Sequence, residues 1–382
     1  MPNSRPDGAG GSARDRRYMA VALGLARRVL GTTAPNPAVG AVIVDEASDE
    51  LIARGWTQPG GRPHAEAHAL DRAGGKARGK TMYVTLEPCS HHGRGPPCAE
   101  AISAAGIRRL VCAIADPNPE ICGKGFASLR QAGIAVDTGV AAEAARWMAA
   151  GHVLRMTKGR PFVQLKLAVS ADGLIARGDG QPRWVTSEAA RAYAHLLRAR
   201  ADAILIGRQT VADDDPQLTC RLPGLDARSP RRYVLDSGFS TAKSTKLAQS
   251  AGGVPLTLIG AAAASPPDLP GEVAIRHVAM VDGALSLTEV LAILNREGVT
   301  RLLVEGGPRV AASFIAAGLV DEAVIGHGTE TLGAAGIQPL ADRGLEVFAD
   351  RARWQLASDR QLGNNRITVY RAQGRLGAGA GE

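Results

Sequence analysis

Two stretches, "GGRPHAEAHAL" (60–70) and "VTLEPCSHHGRGPPCAEAI" (84–102), bring a histidine, a glutamate two residues on and two Pro-Cys pairs into one short region. His64, Cys89 and Cys98 are ligand types that suit Zn²⁺, and three protein ligands leave a fourth tetrahedral position for water. The pattern predicts that His64 opens a helix after Gly-Arg-Pro and Cys98 another after Pro-Pro, with Cys89 in the turn that ends a strand. Helix N-termini put such ligands at the rim of a sheet and favour thiolate through the dipole. Glu66 follows His64 by two residues, so it faces the open zinc position without ligating the metal. Zinc lowers the pKa of its water towards ~7, and a carboxylate there accepts that proton and delivers it to a ring nitrogen and a departing amine. The site is therefore suited to hydrolytic attack on an amidine-like carbon. Two other readings of these residues stay open: a structural zinc site with His91 or His92 as fourth ligand, or a histidine beside two free thiols.

Around this region the chain alternates short apolar runs with helical patterns. Helices are expected at 16–30, 64–74, 96–106, 126–133 and 141–156, and strands at 39–45, 51–56, 81–88, 109–116 and 134–140. Such alternation is the mark of a layered α/β fold. "TKGRPF" (157–162) interrupts it with Lys, Gly and Pro, so a boundary is placed near residue 160. A second series follows, with strands at 162–170, 203–207, 231–236 and 301–307 and helices at 187–201, 286–298 and 309–318. It closes with two strands around the "GNN" turn at 363–365. The expected division is a tail at 1–15, domains at 16–159 and 160–373, and a second tail at 374–382.

The chain has 382 residues, enough for two cores. Its 45% apolar and 21% charged residues are those of a soluble globular protein. The net charge of +8 is spread along the chain rather than gathered into basic runs with aromatics, which argues against nucleic acid and suits phosphorylated small ligands. No run approaches the ~18 apolar residues of a membrane span. The N-terminus has no apolar signal-peptide segment. The odd count of five cysteines, with no framework spacing, points to reduced thiols and a cytoplasmic protein; Cys112, Cys122 and Cys220 fit no ligand spacing.

Zinc deaminases usually separate their two cysteines by two residues, whereas "SHHGRGPP" intervenes here. Together, "APNPAVGAVIV" (34–44), "HAEAHAL" (64–70), "TLEPCSHHGRGPPC" (85–98) and "ADPNP" (115–119) closely resemble the deaminase domain of the bifunctional riboflavin biosynthesis family RibD, over about residues 16 to 155. The resemblance implies a cytidine-deaminase-like α/β/α domain. Its substrate would be a 2,5-diaminopyrimidinone ribosylamine phosphate that loses its 2-amino group as ammonia. Asn36, Asp116 and Asn118 would help hold the pyrimidine; as Asn and Asp beside proline, they read equally as turn residues.

In the second half "LLVEGGPRVAASFI" (302–315) reads as a buried strand, two glycines and a helix start whose N–H groups suit phosphate. A Gly-x-Gly-x-x-Gly fingerprint is absent after the first strand. "LKLAVSADG" (165–173), the run from Arg183 to Arg221, "VLDS" (234–237) and "VEGGPRVAAS" (304–313) resemble, in that order, the reductase domain of the same family, over about residues 160 to 373. That resemblance implies a dihydrofolate-reductase-like α/β domain that uses NADPH to reduce the ribosyl group to a ribityl chain. Cofactor contacts would come from Ala168, Trp184, Thr210, Asp214, Ser237 and the loop Gly307, Pro308, Arg309, Val310, Ala311, Ala312 and Ser313. Substrate contacts would come from Arg198, Leu218, Arg221 and Glu305. Arg198 and Arg221 offer forks for a phosphate, although a mid-helix arginine like Arg198 is by default part of a solvated face. Pro182, two before Trp184, and the segment Gly326–Gly333 depart from the family pattern. The expected protein is a homo-oligomeric bifunctional enzyme of riboflavin synthesis. The rivals are a zinc deaminase with an inactive or regulatory C-terminal domain and a non-catalytic zinc-containing ligand-binding protein.

Overall fold

The structure, a computed structural model, describes residues 11–92, 95–175 and 185–377. These fall into two compact units, one up to Gly159 and one from Arg160 to Arg375, with Leu376 packed on the core of the first.

The first unit contains α1 (Ala13–Arg28), β1 (Gly40–Asp45), β2 (Glu50–Trp56), α2 (Ala65–Ala73), β3 (Thr81–Val84) and α3 (Cys98–Ala104). It continues through β4 (Arg109–Cys112), α4 (Lys124–Gln131), β5 (Ala135–Thr138), α5 (Ala142–Met148) and α6 (Ala150–Lys158). The sheet order is β2-β1-β3-β4-β5, with β1 antiparallel to both neighbours and β3, β4 and β5 parallel. The first five residues of β1 are all buried, the burial of a strand covered on both faces. α1 packs with α5, and α2 with α3 and α3 with α4. A Cβ on Gly55 would stand 2.1 Å from the Ala65 carbonyl oxygen, so only glycine lets β2 accept the start of α2 so closely.

α1 begins inside the stretch expected as a tail. Ser12 caps it, accepting the Asp15 N–H at 3.1 Å while Asp15 Oδ2 accepts the Ser12 N–H at 3.0 Å. Buried Asp15 also accepts from Tyr83 and Arg109, and Arg109 pairs with Glu46 as well. The helix expected over 141–156 is two, because the chain turns at Ala149 (φ −86°, ψ 8°). Each half keeps a buried face, so the apolar pattern runs through the turn.

The second unit contains β6 (Phe162–Val169), α7 (Glu188–Ala199), β7 (Ala203–Gly207), α8 (Arg208–Asp214), β8 (Arg231–Leu235), α9 (Lys246–Gln249), β9 (Leu256–Ala261) and β10 (Val273–Val278). A small ribbon of β11 (Met280–Val281) and β12 (Ala284–Leu285) precedes α10 (Leu287–Arg296), β13 (Arg301–Val304), α11 (Pro308–Ala316), β14 (Glu322–His327), β15 (Trp354–Leu362) and β16 (Asn365–Ala372). The sheet order is β10-β9-β8-β7-β13-β6-β14-β16-β15. It is parallel from β10 to β14, and the C-terminal hairpin adds the antiparallel edge. The chain leaves β6 for β7, β8, β9 and β10 on one side, then returns to insert β13 and add β14 on the other. That reversal is a topological switch point, where carboxyl strand ends open a ligand crevice.

Arg160 anchors the start of this unit. Its guanidinium makes two bonds to fully buried Asp321, at 2.7 and 2.8 Å, and Asp321 also accepts the Val163 N–H at 2.9 Å. Asp321→Ala strands both donors, and breaking such a pair costs about 3–5 kcal/mol. Urea unfolding followed by fluorescence should show that loss; a change below ~1 kcal/mol would contradict it.

Candidate active sites

In the first unit the loops after β2, β3 and β4 and the segment before β1 meet at one edge of the sheet. His64 is the N-cap of α2, in extended conformation, and Cys98 is the first residue of α3. Cys89 lies in the loop after β3, where its carbonyl accepts the Ala99 N–H at 3.1 Å and its sulfur the Cys98 N–H at 3.3 Å. The three ligand atoms lie within 4.8 Å of one another, with His64 Nδ1 3.6 Å from Cys89 Sγ and 3.3 Å from Cys98 Sγ. Tetrahedral Zn²⁺ with Zn–S ≈ 2.3 Å and Zn–N ≈ 2.0–2.1 Å calls for edges of about 3.5–3.8 Å, so the donor set fits the metal closely. Among the described residues this is the one such cluster. His91 and His92 are exposed, and His92 Nε2 stands 3.8 Å from Glu100 at the surface, so neither supplies a fourth ligand.

The electrostatics match a hydrolytic site. Hydrogen bonding from Cys98, aided by His64, brings Cys89 down to about 4, while the Cys89 thiolate and burial push Cys98 up. The partnership with Cys89 raises His64. Cys89 is thus the readier thiolate, and a zinc ion would hold both sulfurs deprotonated. Glu66, in the first turn of α2, is 4% exposed, and burial raises its carboxyl to about 7. A carboxyl that exchanges its proton near neutrality suits a general acid–base.

The residues expected to hold the pyrimidine surround this edge with local partners of their own. Asn36 donates to the Gly61 carbonyl at 3.2 Å, close to His64 in sequence. Asp116 Oδ1 accepts the Asn118 N–H at 2.8 Å, and Asn118 Oδ1 accepts the Glu120 N–H at 3.0 Å, both as Asx turns. The turn role is therefore real for both, and it leaves Asp116 Oδ2 and the Asn118 amide nitrogen outside those bonds. Sequence reading passed over Glu87, although it stands in the same "TLEPC" motif. Glu87 is buried and its carboxylate gathers four backbone N–H groups of the 116–126 segment.

In the second unit the expected reductase residues sit at the carboxyl ends of the parallel strands. Ala168 is near the end of β6, Thr210 and Asp214 lie in α8 directly after β7, Ser237 follows β8, and Glu305 to Gly307 follow β13. A Cβ on Gly306 would come within 2.7 Å of Val310, so glycine there lets α11 fold back onto the strand end. Gly307 is the N-cap of α11, and its N–H donates to Thr210 Oγ1 at 3.1 Å. Pro308 has no N–H, and those of Arg309 and Val310 precede the first intrahelical acceptor, which leaves two donors facing the crevice end for a phosphate.

Arg198 meets Glu305, another expected substrate contact: its Nε and Nη2 donate to Glu305 at 2.8 and 2.9 Å and its Nη1 to the Thr219 carbonyl at 3.2 Å, so its fork is held by partners inside the protein. Burial opposes charge on Glu305, yet Arg198, with Lys166 Nζ at 4.0 Å, holds it at about 2. Burial and the two arginines Arg198 and Arg221 push His195 down. Lys166 and His195 therefore join this cluster; both stand inside motifs noted in the sequence, but only their positions, on β6 facing Glu305 and one turn before Arg198, mark them. Leu218 is buried with φ 56°, and Arg221 is exposed with Nη1 3.3 Å from Gln217 Oε1, which leaves it the freer fork. Trp184 and Pro182 lie outside the described residues. Within Gly326–Gly333, Gly326 pairs with Ala168, and Asp172 accepts the Leu332 and Gly333 N–H groups, so the divergent segment is held to the turn after β6.

The family model for the cytidine and deoxycytidylate deaminase zinc-binding region matches residues 12–114, and that for the RibD C-terminal domain matches 161–368. The riboflavin biosynthesis protein RibD of Escherichia coli is 40% identical over 92% of this chain and 97% of its own length. That of Aquifex aeolicus is 37% identical over 94% and 98%. The chain belongs to the RibD family. Among solved structures, RibD of Acinetobacter baumannii aligns with a TM-score of 0.81 at 33% identity, over 94% of this chain and 99% of the other. The Thermotoga maritima diaminohydroxyphosphoribosylaminopyrimidine deaminase/5-amino-6-(5-phosphoribosylamino)uracil reductase aligns at 0.82 and 32%, with the same coverage. RibD is a bifunctional deaminase and reductase of riboflavin biosynthesis, zinc-dependent in one domain and NADPH-dependent in the other, and both domains are present here. Its partners are small-molecule substrates. Among the described residues no helix is long and apolar enough to cross a membrane.

Metal analysis of the purified protein should find one zinc per chain, lost in Cys89→Ser and in the Cys89, Cys98 double variant together with ammonia release. Stoichiometric zinc persisting in the double variant would place the metal elsewhere.

Proposed function

We propose that the first unit deaminates 2,5-diamino-6-(5-phosphoribosylamino)pyrimidin-4(3H)-one to 5-amino-6-(5-phosphoribosylamino)uracil, and that the second then reduces its ribosyl group to ribityl with NADPH. The observation that carries the deaminase reading is Glu66, buried with its carboxyl raised to about 7 beside a His/Cys/Cys donor set. His64, Cys89 and Cys98 would hold Zn²⁺, which would lower the pKa of a water. Glu66 would take one water proton as the oxygen bonds to C2 and pass it to the ring nitrogen; it would then carry the remaining hydroxyl proton to the amine as C2=O forms, the C2–N bond breaks and ammonia leaves. Asn36, Asp116 and Asn118 orient the pyrimidine edge.

In the second unit the reading rests on Ala168, Thr210, Asp214, Ser237 and the Gly307–Ser313 helix start, all at strand ends beside the switch point. The α11 N-terminus receives a cofactor phosphate. Glu305, kept anionic by Arg198, accepts from a sugar hydroxyl, and Arg221 with the Leu218 turn meets the substrate phosphate. NADPH would supply a hydride to C1 of the imine that ring opening forms, with a proton from water going to the imine nitrogen and NADP⁺ left behind. Five thiols without a disulfide among the described residues suit a cytoplasmic setting. Dispersed arginines favour phosphorylated pyrimidines over nucleic acid or a membrane, and the edge strand β15, with Leu356 half exposed, suits a second copy of the chain.

Glu66→Gln is expected to retain zinc and lose ~10²–10⁴-fold in ammonia release, while reduction of already deaminated substrate continues unchanged. Near-normal ammonia release would remove Glu66 from the mechanism. Stripping zinc is likewise expected to leave NADPH oxidation with deaminated substrate intact, and Arg221→Ala to raise the KM of that reaction alone. Failure of the intact protein to oxidise NADPH with saturating deaminated substrate would end the reductase reading.

A further inference from the structure

The loop after β4 that carries Asp116 and Asn118 has little regular structure of its own before α4 begins at Lys124. Its conformation is imposed from outside by one side chain. Glu87 Oε2 accepts the N–H groups of Asp116 and Gly123, each at 3.0 Å, and Glu87 Oε1 accepts those of Gly125 at 2.9 Å and Phe126 at 3.3 Å. The Glu87 N–H in turn donates to the Ile114 carbonyl at 3.0 Å, which ties the loops after β3 and β4 together. A Cβ on Gly125 would stand 2.1 Å from the Pro88 carbonyl oxygen, so α4 starts directly against the Pro88-Cys89 turn. From the other side, His152 on α6 brings Nε2 to 3.4 Å from Asp116 Oδ1. That oxygen already receives the Asn118 N–H, so both contacts fall on Oδ1 and leave Oδ2 as the freer acceptor.

We infer that Glu87 is a positioning residue for deamination: it sets the Asp116–Asn118 loop against the zinc-ligand loop, with His152 fixing the Asp116 carboxylate. The inference rests on the reading of Asp116 and Asn118 as pyrimidine contacts. Its chemical logic is the acceptor count. A carboxylate accepts at both oxygens, and four N–H donors converge on it. A glutamine of the same shape has one acceptor and one NH₂ donor, so two of the four N–H groups must face a donor. Either the Asp116 and Gly123 end or the α4 end is then released.

Glu87→Gln, Asp116→Asn and their double variant in the full-length protein provide the test, with zinc content, ammonia release against pyrimidine concentration and NADPH oxidation with deaminated substrate measured on each. Zinc content reports the fold of the unit that carries Glu87, and NADPH oxidation shows that the second unit is untouched. The expected result for Glu87→Gln is one zinc per chain, unchanged reduction and a KM for deamination raised on the order of 10–100-fold, with kcat falling less. The double variant is expected to be little worse than Asp116→Asn alone, since both act through one loop. His152→Leu, which leaves the Glu87 bonds in place, is expected to raise KM by a smaller factor. Loss of activity in proportion to lost zinc would make Glu87 a support of the metal site and overturn the inference, as would Glu87→Gln with normal kinetics beside a defective Asp116→Asn. Normal kinetics in Asp116→Asn would remove the pyrimidine contact itself, and this inference with it.

Discussion

A carboxylate moved from water into a protein interior loses its hydration, and it stays charged only where cations or hydrogen-bond donors replace that loss. Three buried glutamates in this chain meet that constraint in different ways. For Glu66 the help of His64, a backbone N–H and Cys98 does not outweigh burial, which lifts it to about 7 and suits it to the proton transfer proposed for it. Glu305 is locked by the Arg198 fork and stays anionic to about pH 2, which makes it a fixed acceptor. Glu87 is met by four N–H groups and so becomes a structural node. The sequence writes all three with one letter; the surroundings assign the chemistry.

Those surroundings depend on strand direction. In both units the functional groups collect where parallel strands end and helices begin, because there unpaired N–H groups and positive helix ends are available. Cys98 at the start of α3 and Gly307 at the start of α11 are the same device: the first turns its N–H towards the Cys89 sulfur, and the second leaves N–H groups of the kind the proposed cofactor phosphate would need. Glycine is needed where a helix must close on its strand, at Gly55 for α2 and at Gly306 for α11.

The zinc triad was legible in the sequence because each ligand stands at a local signal, after Gly-Arg-Pro, after Pro-Pro or at a strand end, and those signals are set by neighbours along the chain. The hairpin around Gly363 was legible for the same reason. β9, β10 and β14 were not. Within β14, "EAVIGH" is buried with Val324 and Ile325 facing opposite sides, so it shows no alternation by which to recognise a strand. The ion pair of Arg198 with Glu305 was not legible, because 107 residues separate the two and no local rule connects a mid-helix arginine to a distant strand end. Glu87 was hidden differently: its motif was noticed for the cysteine, while its partners lie in a loop whose own residues look like ordinary turn formers.

Each buried carboxylate answers to its own neighbours, and the reason lies in the range of the interactions. Apart from burial, the largest influences on Glu66 and Cys89 come from residues 64–98, and those on Glu305 from Lys166, His195 and Arg198. Hydrogen bonds and close ion pairs act over a few ångströms, and solvent screens what reaches further. The structural clusters obey the same division: Asp15, Glu46 and Arg109 tie α1 to the first sheet, while Arg160 and Asp321 close the second. Glu66 and Glu305 thus answer burial in opposite ways within their own units: without a matching guanidinium the first rises to about 7, while that of Arg198 holds the second at about 2.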